Sequence, residues 1–270
     1  VNPHVPIFAN IRDNKNLGDM LCGAKRCFPE FPDAPEVDFR QVPDGPEPLV
    51  LGGGGMIHPG IDRWIQNQAM KRTVFLVGVG VNYHDDRPVE KWQGFIRPCL
   101  NAGLRDRAII ESHDRFAYCP CPTTVGCDWE QWRAVSNRKE DLLVFQHYDH
   151  LIGAPFGPRF TRFTNLWHDG ITLDQMGRYL SRFQRVVTNT YHGALWSALS
   201  GCRVVIWKPF ARRFRTGLPT PLPIADSRDE LDKAWGWWEY EDNRMQTIAN
   251  LNQCYGDLAD FRETVMNILQ

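Results

Sequence analysis

His192 has the clearest chemical setting in the 270-residue sequence. A strand over Val186 to Thr188 runs into a polar turn, Asn189 to His192, and the apolar spacing then becomes that of a helix through Ala194, Leu195, Ala198 and Leu199. Gly201 ends that helix, and a second strand, Val204 to Trp207, closes a β-α-β unit with parallel strands and a right-handed crossover. Ligands bind where such a strand gives way to its helix, because free N–H groups and the positive end of the helix dipole point there. An imidazole at that point has Thr190, Tyr191 and Gly193 around it, and Lys208, Arg212, Arg213 and Arg215 after the next strand. Together these make an anion site with a proton donor or acceptor beside it.

The first half of the chain places polar and glycine residues at corresponding strand ends. Pro6 to Asn10 reads as a strand, followed by the turn Asn16-Leu17-Gly18-Asp19 and a helix over 20–27. Asp19 either caps that helix or turns its carboxylate toward a cleft as a base; the sequence leaves both open. A buried strand then empties into Gly52, Gly53, Gly54 and Gly55, which let the backbone approach a ligand closely or adopt positive φ. No GK[ST] follows, and no GxGxxG with a ribose-binding acid, so neither a P-loop nor a dinucleotide fingerprint is present. A third buried strand, Thr73 to Asn82, ends at Gly78 and Gly80. The fourth, Ala102 to Leu104, leads into Arg105-Asp106-Arg107, where Arg105 is the candidate for holding a phosphate or carboxylate.

These elements require a scaffold of alternating strands and helices. The chain is 43% hydrophobic and 12% aromatic, as in a folded globular protein. Its formal charge of −1 excludes a global basic field for nucleic acid, so any anion must be held by a local cluster. No apolar run approaches the roughly 20 residues of a membrane span. The eight cysteines lack the spacing of a disulfide scaffold and suit reduced thiols in a cytoplasmic setting. Cys119, Cys121 and Cys127, with His113 or His147, offer zinc-ligand types without the paired knuckles of zinc modules, so no metal is expected.

Hydrophobicity drops over 112–140, which divides the chain into residues 1–138 and 139–270. The first half should also hold a helix over Ile61 to Met70 and another over Trp92 to Cys99, with His84-Asp85-Asp86 in a solvated loop. In the second half, Leu142 to Gln146 is a buried strand ending in His147, Tyr148, Asp149 and His150, a solvated turn. Arg159 to Trp167 reads as a basic, aromatic loop. Thr172 and Gln175 form a capping-box pattern opening a helix with Leu173, Met176 and Leu180 inward, and 228–270 is mostly helical.

In order, the strand-end motifs Asn16-x-Gly18-Asp19, Gly52 to Gly55, Gly78-x-Gly80, Gly103-Leu-Arg105-Asp106, Thr190-Tyr191-His192-Gly193 and Lys208-Pro209-Phe210 resemble the polysaccharide pyruvyltransferase family over roughly residues 7–210. The resemblance implies two Rossmann-like α/β domains in a GT-B-like arrangement. Residues 1–138 would face the acceptor and 139–270 the donor, with the terminal helices packing back on the first domain. It also implies transfer of a pyruvyl group from phosphoenolpyruvate to sugar hydroxyls as a ketal, without a further cofactor. His192 matches the histidine of the family's Arg-x-His element, and Thr190 occupies the arginine's place. In these terms His192 is the acid and Asp19 the base. Arg105 with Lys208 or Arg212 holds the anion, and Gly18, Gly53, Gly54, Gly55 and Gly80 line the cleft. The competing expectation is a glycosyltransferase whose nucleotide-sugar diphosphate sits at the second-domain helix start. A third is a non-catalytic carbohydrate-binding protein with tryptophans as sugar platforms.

Overall fold

A computed structural model describes residues 5–12, 15–56, 61–80, 101–111, 116–153, 156, 160–166, 168–209 and 217–269. Arg212, Arg213, Arg215, His113, the His84-Asp85-Asp86 run and the helix expected over Trp92 to Cys99 lie outside them.

The buried runs of the first half become the strands β1 (Ile7–Asn10), β2 (Glu36–Asp38), β3 (Leu49–Gly52), β4 (Val74–Val79), β5 (Asn101–Leu104) and β6 (Phe116–Tyr118). They form one sheet in the order β2-β1-β3-β4-β5-β6, and every pairing is parallel. Such strands need cover on both faces. Accordingly Leu49, Leu51 and Leu76 enter one apolar cluster, while Val50, Phe75 and Val77 enter another. The second half repeats the scheme with β7 (Glu140–Gln146), β8 (Thr161–Thr164), β9 (Phe183–Thr188), β10 (Arg203–Trp207) and β11 (Ile224–Ala225), in the parallel order β11-β10-β9-β7-β8. Here Leu143 and Phe145 face one cluster and Val144 the other. The chain is an α/β protein with two parallel sheets, built as two Rossmann-like domains.

The described helices are α1 (Leu17–Leu21), α2 (Asp62–Ala69), α3 (Arg107–Ile110), α4 (Trp129–Arg133), α5 (Leu173–Leu180), α6 (Tyr191–Leu199), α7 (Arg228–Trp237) and α8 (Glu241–Leu269). The helix expected over 20–27 is instead α1 followed by a separate 3₁₀ turn, Ala24–Cys27. Gly23 breaks it with extended ψ of 139°. The reading of Arg159 to Trp167 as a loop is also corrected, because Thr161–Thr164 pairs with β7 as an edge strand. Its two faces explain why. Phe163 lies inward, 4.9 Å from the Phe145 ring, while Arg162 on the other side donates to Gln146 Oε1 and to the Ile152 carbonyl. The capping box of α5 forms as the sequence indicates, with Gln175 N donating to Thr172 Oγ1 and Thr172 N to Gln175 Oε1.

Two chain orders fix where a ligand crevice can form. From β1 the chain goes to β2 on one side and then crosses back to β3 on the other, and from β7 it goes to β8 on one side and then back to β9 on the other. The gaps between the carboxyl ends of β1 and β3 and of β7 and β9 are therefore topological switch points.

The last helix ties the halves together. A 29-residue helix is about 43 Å long. Leu251 of α8 packs in the second-half core, whereas Leu258, Phe261, Val265, Met266 and Leu269 pack under the first sheet. Phe261 carbons lie 2.7 Å from where a Cβ on Gly103 would stand, so its ring fills a space that only glycine leaves. Phe261→Ala should cost about 3–5 kcal/mol in a denaturant titration. A loss below about 1 kcal/mol would mean that the end of α8 adds little to the fold.

Candidate functional site

The two switch points meet. Asn16 caps α1 by accepting from Gly18 N at 2.9 Å, so the first of the two roles the sequence leaves open for Asp19, the cap, belongs to Asn16. Asn165, just past β8, donates through Nδ2 to Asn16 Oδ1, and its carbonyl accepts from Leu17 N. The start of α1 is thereby bonded to the second sheet. Leu17, Leu21 and Cys22 continue into the same core cluster as Phe145, Leu195 and Trp196.

That docking brings Gly18 against His192. A Cβ on Gly18 would fall 1.9 Å from His192 Nδ1, so the close approach exists only because Gly18 lacks one. On the other side of the ring, His192 Nε2 stands 3.5 Å from Cys121 Sγ, which in turn accepts from Thr123 Oγ1 at 3.2 Å. Trp196 and Tyr191 flank the imidazole, with centroids at 5.1 and 5.2 Å. His192 is 8% exposed. Thr190 caps α6, accepting from Gly193 N at 2.9 Å and bonded to Thr188 beneath it. Tyr191 donates its hydroxyl to the Gly217 carbonyl.

Arg105 reaches the same place from the first sheet. Its guanidinium carbon lies 3.9 Å from the centroid of the Tyr191 ring, a stacking worth about 2 kcal/mol when desolvated. On its other side is Gly80, whose Cβ would fall 2.1 Å from Arg105 Nε. The residue is 1% exposed, and among the described residues neither Nε nor Nη1 has a hydrogen-bond partner. Burial works to lower its pKa, but Tyr191, Cys121, Cys22 and Asp19 around it outweigh that and raise it. The site therefore holds a permanent positive charge with two N–H donors unused.

Asp19 sits half-buried in the first turn of α1. Its Oδ1 lies 3.0 Å from where a Gly54 Cβ would stand, so the carboxylate faces the glycine loop. Gly53 and Gly54 have φ of 59° and 65°, and a Cβ on Gly53 would strike the Cys22 carbonyl and Sγ. The loop is thus shaped to close over α1, with Gly55 buried beside it. Across the junction Tyr148 is half-buried, its hydroxyl pushed up by burial, then by Asp149 and Asp19. Cys22 is pushed well up by burial first and then by Cys121 and Asp19, so it stays a neutral thiol at neutral pH.

Gly18, Asp19, Gly53, Gly54, Gly55, Gly80, Arg105, Thr190, Tyr191, His192 and Gly193 thus converge or line the junction. Lys208 does not join His192. Its φ of 45° turns the end of β10, and its Nζ lies 5.6 Å from the Trp207 ring, which belongs to the cluster on the sheet face away from α6. The buried Trp129, Trp132, Trp196, Trp207 and Trp238 are core residues, which corrects their reading as sugar platforms. Among the described residues no three His, Cys, Asp or Glu side chains converge as metal ligands. Cys119 and Cys121 point into different cores.

Residues not singled out in the sequence also build the site. Asn189 Oδ1 accepts from His147 N and its Nδ2 donates to the His150 carbonyl. Asn165 Oδ1 accepts from Tyr148 N. The turn 147–150 is therefore fixed from both neighbouring strand ends, beyond the solvated turn the sequence suggested. The available signal was an asparagine directly after β8 and directly after β9.

No family model matches the sequence, and no curated protein matches it. Among solved structures, the chain is similar to an uncharacterized protein from Klebsiella pneumoniae, at 15% identity and a TM-score of 0.49, covering 78% of this chain and 85% of that one. Among the described residues no helix is long and apolar enough to cross a membrane.

Gly18→Ala should destabilise the protein by about 1–3 kcal/mol, because the new methyl must displace the His192 ring. Gly236→Ala, with nothing within 4 Å of the added carbon, should be neutral or stabilise by up to about 1 kcal/mol. Equal effects in thermal unfolding would contradict the close approach.

Proposed function

We propose that the protein is a glycan-modifying transferase that moves a pyruvyl group from phosphoenolpyruvate to two hydroxyls of a saccharide, forming a ketal. One observation carries the reading. The buried guanidinium of Arg105, with Nε and Nη1 unbonded, is stacked on Tyr191 beside His192. The resemblance to polysaccharide pyruvyltransferases expects an arginine two residues before the histidine, where this chain has Thr190. Arg105 supplies a guanidinium to the same helix start from the other domain, and a guanidinium suits the donor carboxylate.

The chemistry needs little more. His192 protonates the methylene carbon, which becomes the methyl group. The C–O bond to phosphorus-bearing oxygen breaks, and phosphate leaves. Two acceptor hydroxyl oxygens bond to the central carbon, and Asp19 removes their protons. One of these protons replaces that given by His192, and the other leaves with phosphate. Because His192 and Arg105 are both nearly sealed, donor entry requires the two domains to part in a GT-B-like manner.

The nucleotide-sugar alternative asks for free donors at the start of α6. Thr190 already takes the Gly193 N–H there, and Gly18 covers the ring of His192, which favours the carboxylate reading.

Phosphoenolpyruvate should raise the melting temperature, since a ligand at 100 times its Kd stabilises by about 2.7 kcal/mol, and Arg105→Gln should reduce that shift while leaving any shift by UDP-, GDP- or CMP-sugars unchanged. His192→Ala should cut phosphate release in the presence of acceptor glycan by about 10²–10⁴-fold. Arg105→Gln should weaken phosphoenolpyruvate binding by about tenfold to a hundredfold. No stabilisation by phosphoenolpyruvate, stabilisation by a nucleotide sugar that Arg105→Gln removes, or unchanged turnover in folded His192→Ala would overturn the proposal.

A further inference from the structure

A second cavity lies at the opposite ends of the strands. It is a groove of about 670 Å³ at the amino ends of β7, β9 and β10, lined by Arg133, Arg138, Arg185, Arg203 and Arg244. β9 is six residues long, so about 20 Å of sheet separates the groove from the carboxyl ends where His192 sits.

The charge of this groove is out of proportion to the chain. The whole sequence is formally −1, yet the lining has five arginines against a single carboxylate, Asp141. Asp141 is already used in a two-pronged pair with Arg185, and Glu239 pairs with Arg203. Among the described residues Arg133, Arg138 and Arg244 have no carboxylate partner. Arg138 has a structural task, donating to the carbonyls of Ser200, Phe183 and Trp132 and so closing the carboxyl end of α6. Arg133 donates to Leu199 O and Asn252 Oδ1 but leaves a buried Nη2 without a partner. Among the described residues Arg244 has no side-chain hydrogen-bond partner. Crowded guanidinium groups repel, and an unmade buried donor costs about 1–3 kcal/mol; a bound anion relieves both. The remainder of the lining includes exposed Ile248, with the core residues Trp238 and Leu251 buried behind it, an apolar wall that a bare inorganic ion would not use.

We propose that this groove binds a small organic phosphoester, its phosphate among the arginines and its ring body against the apolar wall. The volume fits a ligand of that size, since small-molecule sites run about 300–1,000 Å³. A sugar phosphate and a nucleotide share this chemistry. The site is independent of the transfer reaction and needs neither His192 nor Arg105.

Isothermal titration of the full chain with UDP, glucose 6-phosphate, uridine and inorganic phosphate tests it. One or both phosphoesters should bind with a Kd below about 1 mM, and which of them does so identifies the source. Uridine should not bind, and inorganic phosphate should bind more weakly than the preferred phosphoester. Arg244→Glu, on the exposed face of α8, should weaken phosphoester binding by about tenfold or more, while His192→Ala and Arg105→Gln leave it unchanged. Absence of phosphoester binding, binding that survives unweakened in Arg244→Glu, binding lost in Arg105→Gln, or inorganic phosphate binding as tightly as the preferred phosphoester would each overturn it.

Discussion

The contact between Gly18 and His192 is the constraint on which the rest of the structure depends. Two helix starts from different domains can meet only if one presents bare backbone, and a single Cβ on Gly18 would fall inside the imidazole. Around that contact the other joints follow. Asn165 bonds Asn16 and Leu17, Arg105 stacks on Tyr191, and Leu17, Leu21 and Cys22 enter the core of the second half. The outcome is a junction of two switch points in which a histidine, a carboxylate and an unsaturated guanidinium come from three different strand ends.

The fold was legible because parallel sheets announce themselves. Leu49–Gly52, Val74–Val79 and Leu142 to Gln146 are continuous apolar runs ending in glycine or polar residues, and each became a strand covered on both faces. Thr161–Thr164 was missed because its polar-apolar alternation sits among arginines, as on an edge strand with one face toward solvent. The break at Gly23 was missed because its cause is tertiary. The 3₁₀ turn at Ala24 must lie against Gly52, where a Cβ would come within 2.3 Å.

The site was legible in its residue types more than in its relations. His192 at a helix start, Asp19 after β1 and Arg105 after β5 could each be chosen from position alone. That Arg105 would stand against Tyr191 depends on how the two sheets face one another, which no local pattern encodes. The same holds for Cys121. The C-x-C pair offers zinc-ligand types without a zinc-module spacing, and only the tertiary fold sends Cys119 into the first domain's core and Cys121 to the imidazole. Lys208 shows the converse. Its place after β10 suited an anion site, and one residue at positive φ directs it to the other face.

The exposures of His192 and Arg105 describe a closed junction, and the proposed transfer requires that it open and reclose on phosphoenolpyruvate. Backbone hydrogen exchange over 16–22 and 188–193, with and without phosphoenolpyruvate, addresses this most directly. Since the two segments form one joint, saturating phosphoenolpyruvate should slow exchange in both together. Slowing in one segment alone, or in neither while the ligand is bound, would contradict donor binding at this junction.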